Sequence, residues 1–127
     1  MEYLFVLGRV LLGVYFVVSG FNHFKNLNML TSYAQSKGVP MPKVAVLLTG
    51  LMMLLGGLGI LLGVYVQVSI ALIAVFLFVV TLKMHQYWKA DETSKMGEHI
   101  NFYKNLSLLG AVLMLLAIPL PWVLSLF

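Results

Sequence analysis

Long apolar stretches alternate with shorter polar ones along the chain, and their lengths predict its elements. Residues 3–24 form the first apolar stretch, in which Arg9 is the one charged residue. Residues 44–82 contain no charged side chain, and these 39 residues are about twice what one helix needs to cross a bilayer. The segment must therefore turn back on itself, and Gly63 followed by Tyr65 marks the best position for the turn. A last apolar stretch covers residues 100–118.

The apolar stretches are continuous, whereas a membrane β-barrel shows alternating apolar and polar positions in segments of about ten residues. The pattern therefore predicts an all-α integral membrane protein, a single domain over residues 1–127 that forms an antiparallel four-transmembrane-helix bundle. Short connections favour contact between helices that follow one another in the chain. The helices are expected at about residues 3–24, 44–63, 67–88 and 100–118, the polar loops at 25–43 and 89–99, and a short interfacial helix at about 27–34.

Composition supports the same conclusion. Hydrophobic residues make up 61% of the 127 residues and charged residues 9%, against about 25% charged in a typical soluble domain. Such a small number of charged residues cannot cover the surface of a small protein in water. The solvent for most of this surface is therefore the lipid bilayer. The net charge of +4 comes from residues beside the apolar stretches, with no basic stripe or recognition helix, which excludes nucleic acid as the expected partner.

The distribution of lysines predicts the orientation in the membrane. Four helices place both termini on one side and the two polar loops on the other. The loops carry most of the positive charge, in Lys25, Lys37, Lys43, Lys89 and Lys95. The positive-inside rule then places both polar loops in the cytoplasm and both termini outside.

Polar side chains within the predicted helices concentrate at the end of the bundle that carries the polar loops. Such groups are costly in lipid and usually face a bundle interior or a water-filled cavity. They predict a pocket for a small polar ligand, with Lys104 as its positive charge. The alternative is that Lys83 and Lys104 extend to the head groups while the other side chains cap helix ends. The set comprises Ser19, Asn22 and His23 of the first helix, His85 of the third, and Asn101, Lys104 and Asn105 of the fourth.

Arg9 is a further candidate ligand-binding residue, because no acidic residue lies within an apolar stretch to neutralise it. The functional interpretation is contact with an anionic or carbonyl-bearing ligand, and the alternative is extension to the nearer interface. Glu2, Gln67 and Ser69 are its candidate partners on that side of the membrane. Trp122 is expected to be an anchor at the interface.

Small residues and histidines suggest two other kinds of site. Small residues let helix backbones approach closely in a membrane, so the glycines of the second helix predict packing within the chain, with a homo-oligomer as the alternative. These are Gly56, Gly57, Gly59 and Gly63. No pair among His23, His85 and His99 has the spacing of a known metal motif, so no metal site is predicted. The chain has no cysteine, which excludes iron–sulfur ligation and thiol chemistry.

Three segments of the chain together resemble one family. Residues 9–20, RVLLGVYFVVSG, are similar to the opening helix of the DoxX family of small membrane proteins, and residues 38–42, GVPMP, are similar to its inter-helix loop. The most specific likeness is HQYW at residues 85–88 followed by NFYKN at 101–105. It resembles the junction of the last two helices, in particular in the branch of YphA-like inner-membrane proteins.

The resemblance implies a four-helix protein of the cell inner membrane that is associated with redox systems. The family takes its name from a subunit of thiosulfate:quinone oxidoreductase, so the resemblance implies a membrane subunit or accessory protein that binds a quinone-like or small polar ligand, with other membrane redox proteins as partners. Arg9, Lys104 and Asn105 match the characteristic polar residues of the family. Many relatives have a glutamate where this chain has Met53 and a lysine where it has His23, so the resemblance does not by itself assign an enzymatic activity. A structural assembly module and a small transporter are the alternative functions.

Overall fold

The computed structural model describes residues 1–124, and its regular elements are all helical. Four of its α-helices are long and apolar enough to cross a membrane, which confirms the predicted all-α bundle. A fifth, shorter helix lies in the first polar segment, where the interfacial helix was expected. The α-helices are α1 (Glu2–Lys25), α2 (Leu27–Ser36), α3 (Pro42–Leu62), α4 (Val66–Met84) and α5 (Lys95–Met114), and short 3-10 turns cover Tyr87–Lys89 and Leu115–Ala117.

The membrane-spanning helices pack in the order in which they follow in the chain. Helix α1 packs on α3, α3 on α4 and α4 on α5, as the short connections predict. Within residues 1–124, α1 and α5 share no extended contact, so the bundle is open along that side. Helix α2 lies across the polar-loop end, against α3 and α1. Helix α5 is the least buried of the four spans, because α4 is its one extensive helical neighbour in the described structure.

Glycines set the closest helix contacts. A Cβ placed on Gly57 would lie 2.9 Å from the backbone oxygen of Gly13, so α1 and α3 approach as closely as their backbones permit. Side chains at Gly56 and Gly59 would overlap Ile73 and Ser69 of α4. Gly63 ends α3 in the left-handed conformation, with φ of 73°, which glycine adopts without steric cost. The predicted packing glycines are therefore used within the chain.

Three helix ends differ from the sequence-based expectation by four or five residues, namely both ends of α5, which ends at Met114, and the end of α4. Helix α5 begins at Lys95, about one and a half turns before residue 100, because hydropathy assigns its charged first turn to a loop. The carboxylate of Asp91 accepts hydrogen bonds of 2.9 Å and 2.8 Å from the backbone N–H and the hydroxyl of Ser94, and these bonds fix the preceding turn. They also hold the pKa of Asp91 below its ordinary value. Helix α4 ends at Met84 instead of residue 88, since the backbone of His85 leaves the helical conformation.

Aromatic side chains join the turn after α4 to the first half of α5. The ring of Tyr87 lies 4.7 Å from that of His99 and 5.3 Å from that of Phe102, centroid to centroid. Edge-on aromatic pairs of this kind stabilise contacts beyond the area that they bury. This cluster fixes the start of α5 against the end of α4 and accounts for the position of His99.

Candidate functional site

A cavity of about 510 Å³ lies at the polar-loop end, between α1, α3, α4 and α5 and beneath α2. Its inner wall is apolar and includes the buried side chains of Phe16, Met53 and Leu77. Cavities of about 300–1,000 Å³ with mainly apolar walls and a few polar groups are typical of small-molecule sites. The volume and lining of this cavity fall within that range, which makes it the candidate functional site.

The cavity reaches the lipid-facing surface of the bundle. Val18 of α1 and Val79 of α4 both line it, and they are 60% and 52% exposed. Lys104 and Asn105 line it from α5, which has no extended contact with α1 in the described residues. Because α1 and α5 share no extended contact within residues 1–124, the cavity opens laterally between them.

The structure brings together most of the polar residues that the sequence singled out. Six of the eight candidate ligand-binding residues line the cavity, namely Ser19, Asn22, His23, His85, Lys104 and Asn105. Asn101 is half-buried in α5 and does not line it. Arg9 lies outside it, at the opposite end of the bundle. The candidate set therefore divides between two regions of the molecule.

The polar groups around the cavity differ in how far the protein satisfies them. His23 Nδ1 lies 3.0 Å from the backbone oxygen of Val46 and 3.3 Å from the hydroxyl of Thr49, so α3 holds this ring. Asn105 is 7% exposed, yet its side-chain amide makes no hydrogen bond to any residue from 1 to 124. The Asn105 side chain lines the cavity, so its amide donor and acceptor are open to a ligand there.

Two lysines give this cavity a positive character. Lys83 of α4 and Lys104 of α5 line it, and neither pairs with a carboxylate within the described chain. The residues that line the cavity include no aspartate or glutamate. The electrostatics therefore favour a ligand that carries or develops negative charge.

A buried carboxylate lies behind the cavity and was missed by the sequence analysis. Glu98 is 6% exposed and accepts a hydrogen bond of 2.6 Å from the Tyr33 hydroxyl. His85 Nδ1 lies 3.1 Å from its other oxygen, and the ammonium group of Lys37 lies 3.5 Å from that oxygen. Burial and the bond to Glu98 raise the pKa of Tyr33 above its ordinary value. We call these four residues the Glu98 cluster, and two of its members, Tyr33 and His85, also line the cavity.

The sequence carried a signal for Glu98 that the hydropathy pattern hid. The predicted polar loop at 89–99 included Glu98, although the structure places it in the first turn of α5. Glu98 and Asn105 are seven residues apart, a separation that brings two residues of a helix to the same face. Extending the helical spacing back from Asn105 would therefore have marked Glu98 as inward-facing.

Arg9 is enclosed by the opposite end of the molecule. Its guanidinium group donates hydrogen bonds to the backbone oxygens of Leu61, at 3.2 Å, and of Leu124, at 3.1 Å, and it also bonds to that of Val123. The expected partners Glu2, Gln67 and Ser69 do not contact it through hydrogen bonds or ion pairs in the described structure, since backbone carbonyls take their place. Arg9 and His23 are 14 residues apart on α1, which corresponds to about 21 Å.

Aromatic rings complete the enclosure of Arg9. Its guanidinium carbon lies 5.7 Å from the ring centre of Phe5 and 5.6 Å from that of Trp122. The expectation that Trp122 is an interfacial anchor is wrong, because its side chain is 3% exposed and packs edge-on against Phe5. The turn after α5 brings Trp122 back onto α1, which no hydropathy pattern could indicate.

Comparison with known proteins identifies the family. The model of the DoxX family matches residues 4–86, well over half of the chain. The chain belongs to the DoxX family. The match of this DoxX protein covers α1 to α4, whereas α5, with Glu98, Lys104 and Asn105, lies beyond it. The inner membrane protein YphA of Escherichia coli (strain K12) is 29% identical over 123 residues, which are 97% of this chain and 87% of that protein. No solved structure matches the chain.

Proposed function

We propose that this DoxX protein is a membrane subunit or accessory protein of a redox system that binds a quinone-like ligand in the cavity. The observation that carries the proposal is the combination of apolar walls, a lateral opening and unsatisfied polar groups at one end. An isoprenoid quinone combines the same properties, with an apolar tail and a ring that carries two carbonyl oxygens. The proposal also agrees with the redox association that the family resemblance implies.

The polar end of the cavity suits the quinone ring. The Asn105 amide and the Lys104 ammonium group supply donors for carbonyl oxygens, and neither has an intrachain partner among residues 1–124. Reduction places negative charge on these oxygens, which Lys104 and Lys83 would stabilise. The apolar wall formed by Phe16, Met53 and Leu77 would receive the start of the tail.

We also propose the location and orientation of the protein. The relative from Escherichia coli is named as an inner membrane protein, and we assign this chain to the same kind of membrane. The lysines of the polar segments place that end in the cytoplasm by the positive-inside rule. The cavity then opens near the cytoplasmic face of the bilayer, where membrane redox partners would exchange electrons with the bound quinone.

Purified protein tests the proposal. Extraction of the protein in native lipid, followed by mass spectrometry, should recover a quinone in about stoichiometric amount. A short-chain quinone should raise the melting temperature of the wild type but not that of Lys104→Ala or Asn105→Leu. Lys89→Ala is the matched control, because Lys89 carries the same charge near the same end but does not line the cavity.

A sample that contains no quinone and does not respond to added quinones would exclude the proposed function. The alternative assembly role would then gain support. The structure limits that role, because the glycine-rich face of α3 packs on α1 and α4 and is not available to a partner.

A further inference from the structure

We propose that His85, positioned by Glu98, is the proton-accepting group of the cavity and takes a proton from a quinol hydroxyl bound there. The inference rests on the proposed function and assigns a role to the Glu98 cluster, which meets the cavity at His85. His85 would touch the ligand, whereas Glu98 acts through His85 and is a positioning residue.

The contact between Glu98 and His85 fixes the tautomer of the ring. His85 Nδ1 lies 3.1 Å from Glu98 Oε2, and an ionised carboxylate can only accept a hydrogen bond. The Nδ1 atom must therefore carry the hydrogen of the neutral ring. The other nitrogen, Nε2, is left with a free lone pair, which is the basic form of an imidazole.

The remaining contacts of Glu98 hold the carboxylate in place. Tyr33 donates to Oε1 at 2.6 Å, and the ammonium group of Lys37 provides a counter-charge 3.5 Å from Oε2. Both oxygens thus have partners, and they come from α2, the loop after it and the end of α4. A carboxylate held in this way orients the imidazole and stabilises the imidazolium ion that forms when Nε2 accepts a proton.

His85 is accessible to a ligand, whereas Glu98 is not. The His85 side chain is 13% exposed and lines the cavity, while Glu98 does not line it. His85 Nε2 makes no hydrogen bond to any described residue. Lys104 and Asn105 line the same cavity from α5, so the cavity offers both a proton acceptor and a positive charge.

The proposed step is a proton transfer. The O–H bond of one quinol hydroxyl breaks, an Nε2–H bond forms on His85, and the ligand becomes a quinolate anion that Lys104 stabilises. A membrane redox protein then accepts two electrons from the quinolate, the second hydroxyl proton passes to water, and a quinone remains. The imidazolium ion returns its extra proton to water and regains the basic form.

Nitrogen NMR of histidine-labelled protein in nanodiscs tests the positioning role without any ligand. The signals are assigned by comparison with His23→Gln and His99→Gln. We expect the wild type to show the Nδ1–H tautomer at His85. Glu98→Leu, which removes the acceptor, should shift the population toward Nε2–H, whereas Glu98→Asp should retain Nδ1–H. An Nε2–H tautomer in the wild type, or no change in Glu98→Leu, would overturn the inference.

A short-chain benzoquinol tests the proton step. It should move the Nε2 resonance of His85, and Glu98→Gln should bind the quinol about tenfold more weakly than the wild type, as expected for loss of one charge-assisted hydrogen bond. Affinity for the oxidised quinone, which has no hydroxyl proton, should change less. If Glu98→Gln does not fold, His85→Gln should show the same selective loss of quinol binding. Equal losses of affinity for quinol and quinone would contradict the proton step.

The outcomes separate the two proposals. Thermal stabilisation by the quinol without a response at Nε2 would overturn the proton step and leave the proposed function standing. No stabilisation by either quinol or quinone would overturn the proposed function, and the proton step with it.

Discussion

The two ends of this bundle surround their buried polar side chains with different groups. At the terminal end, Arg9 is surrounded by three backbone carbonyls and two aromatic rings. At the polar-loop end, Asn105 is as deeply buried but makes no hydrogen bond within the described chain, and it lies beside an open cavity. In the sequence, both residues are polar side chains within apolar stretches, and the hydropathy pattern does not distinguish them.

The surroundings of a polar side chain indicate whether it is structural or available to a ligand in a membrane protein. Backbone oxygens accept from the two terminal nitrogens of Arg9, although its Nε has no partner within residues 1–124, so the group is held by the protein itself. The amide of Asn105 instead lines the cavity, where a ligand can supply its partner. The sequence left open whether Arg9 contacts a ligand or extends to the interface; its backbone contacts favour a structural role, and Asn105 remains the better candidate for binding. Four variants test this contrast between the two ends.

Replacement of Arg9 by alanine should have the largest effect on stability. It leaves the carbonyls of Leu61, Val123 and Leu124 without their donor, at a cost of about 3–4 kcal/mol in the free energy of unfolding. Arg9→Lys should recover only part of it, because an ammonium group lacks the planar set of donors. Unfolding in detergent micelles measures both. Glu2→Gln is the control, and an equal loss there would mean that a carboxylate pairs with Arg9.

Replacement of Gly57 by alanine should disturb the close contact between α1 and α3. The added methyl group would lie 2.9 Å from backbone atoms of α1, so the helices must separate, at a cost of about 2 kcal/mol. Gly110→Ala is the matched control, because nothing lies within 4 Å of that site. It should stabilise α5 by up to about 1 kcal/mol through helix propensity. Thermal unfolding of Gly57→Ala and Gly110→Ala measures both changes in stability. Stabilisation by both variants, or destabilisation by both, would contradict the close packing at Gly57.

Replacement of Tyr33 by phenylalanine should remove a bond to Glu98 and cost about 1.5 kcal/mol near neutral pH. Folding raises the pKa of this tyrosine above its ordinary value of 10.0, so the unfolded chain loses the proton first. The wild type should therefore lose stability above about pH 10, and its advantage over Tyr33→Phe should shrink there. Denaturation between about pH 8 and pH 11 measures the difference, with Tyr15→Phe as control. A constant difference would argue against the bond.

Replacement of Asn105 by leucine should change stability least. Because the amide makes no hydrogen bond within residues 1–124, its loss should alter the free energy of unfolding by less than about 1 kcal/mol, in either direction. Quinone binding should nevertheless fall at least about tenfold. Melting and quinone-binding measurements on the same samples check this. Asn105→Leu should lose binding and keep its stability, whereas Arg9→Ala should lose stability. A strongly destabilised Asn105→Leu would erase the contrast between the two ends.

Much of the fold could be read from the sequence because lipid imposes simple rules. Backbone groups in a bilayer must be bonded within a segment, so an apolar run of sufficient length becomes a helix. The 39 residues of segment 44–82 are too long for one span, so a break was required. Gly63 and Tyr65 located it, because they combine a helix-ending glycine with an interfacial tyrosine. The start of α5 was misplaced because its first turn is charged, and hydropathy does not register a turn that buries a single carboxylate.

The candidate site was predictable only in part. Helical spacing placed Ser19, Asn22 and His23 on one face near the polar loops, and that face lines the cavity. It could not reveal that Tyr33 of α2 meets Glu98, because the two residues are 65 positions apart and the contact depends on how α2 lies across the bundle.

By itself, the sequence determined the solvent of this protein, its four spanning helices and the end of the bundle where polar groups gather. These properties are local, since each depends on the free energy of placing a short segment in lipid. The tertiary structure decided which polar groups are satisfied and which remain open to a ligand. That property is not local, because the partners of Arg9 and Glu98 lie on segments distant in the chain, and only packing determines whether a donor finds an acceptor or a cavity.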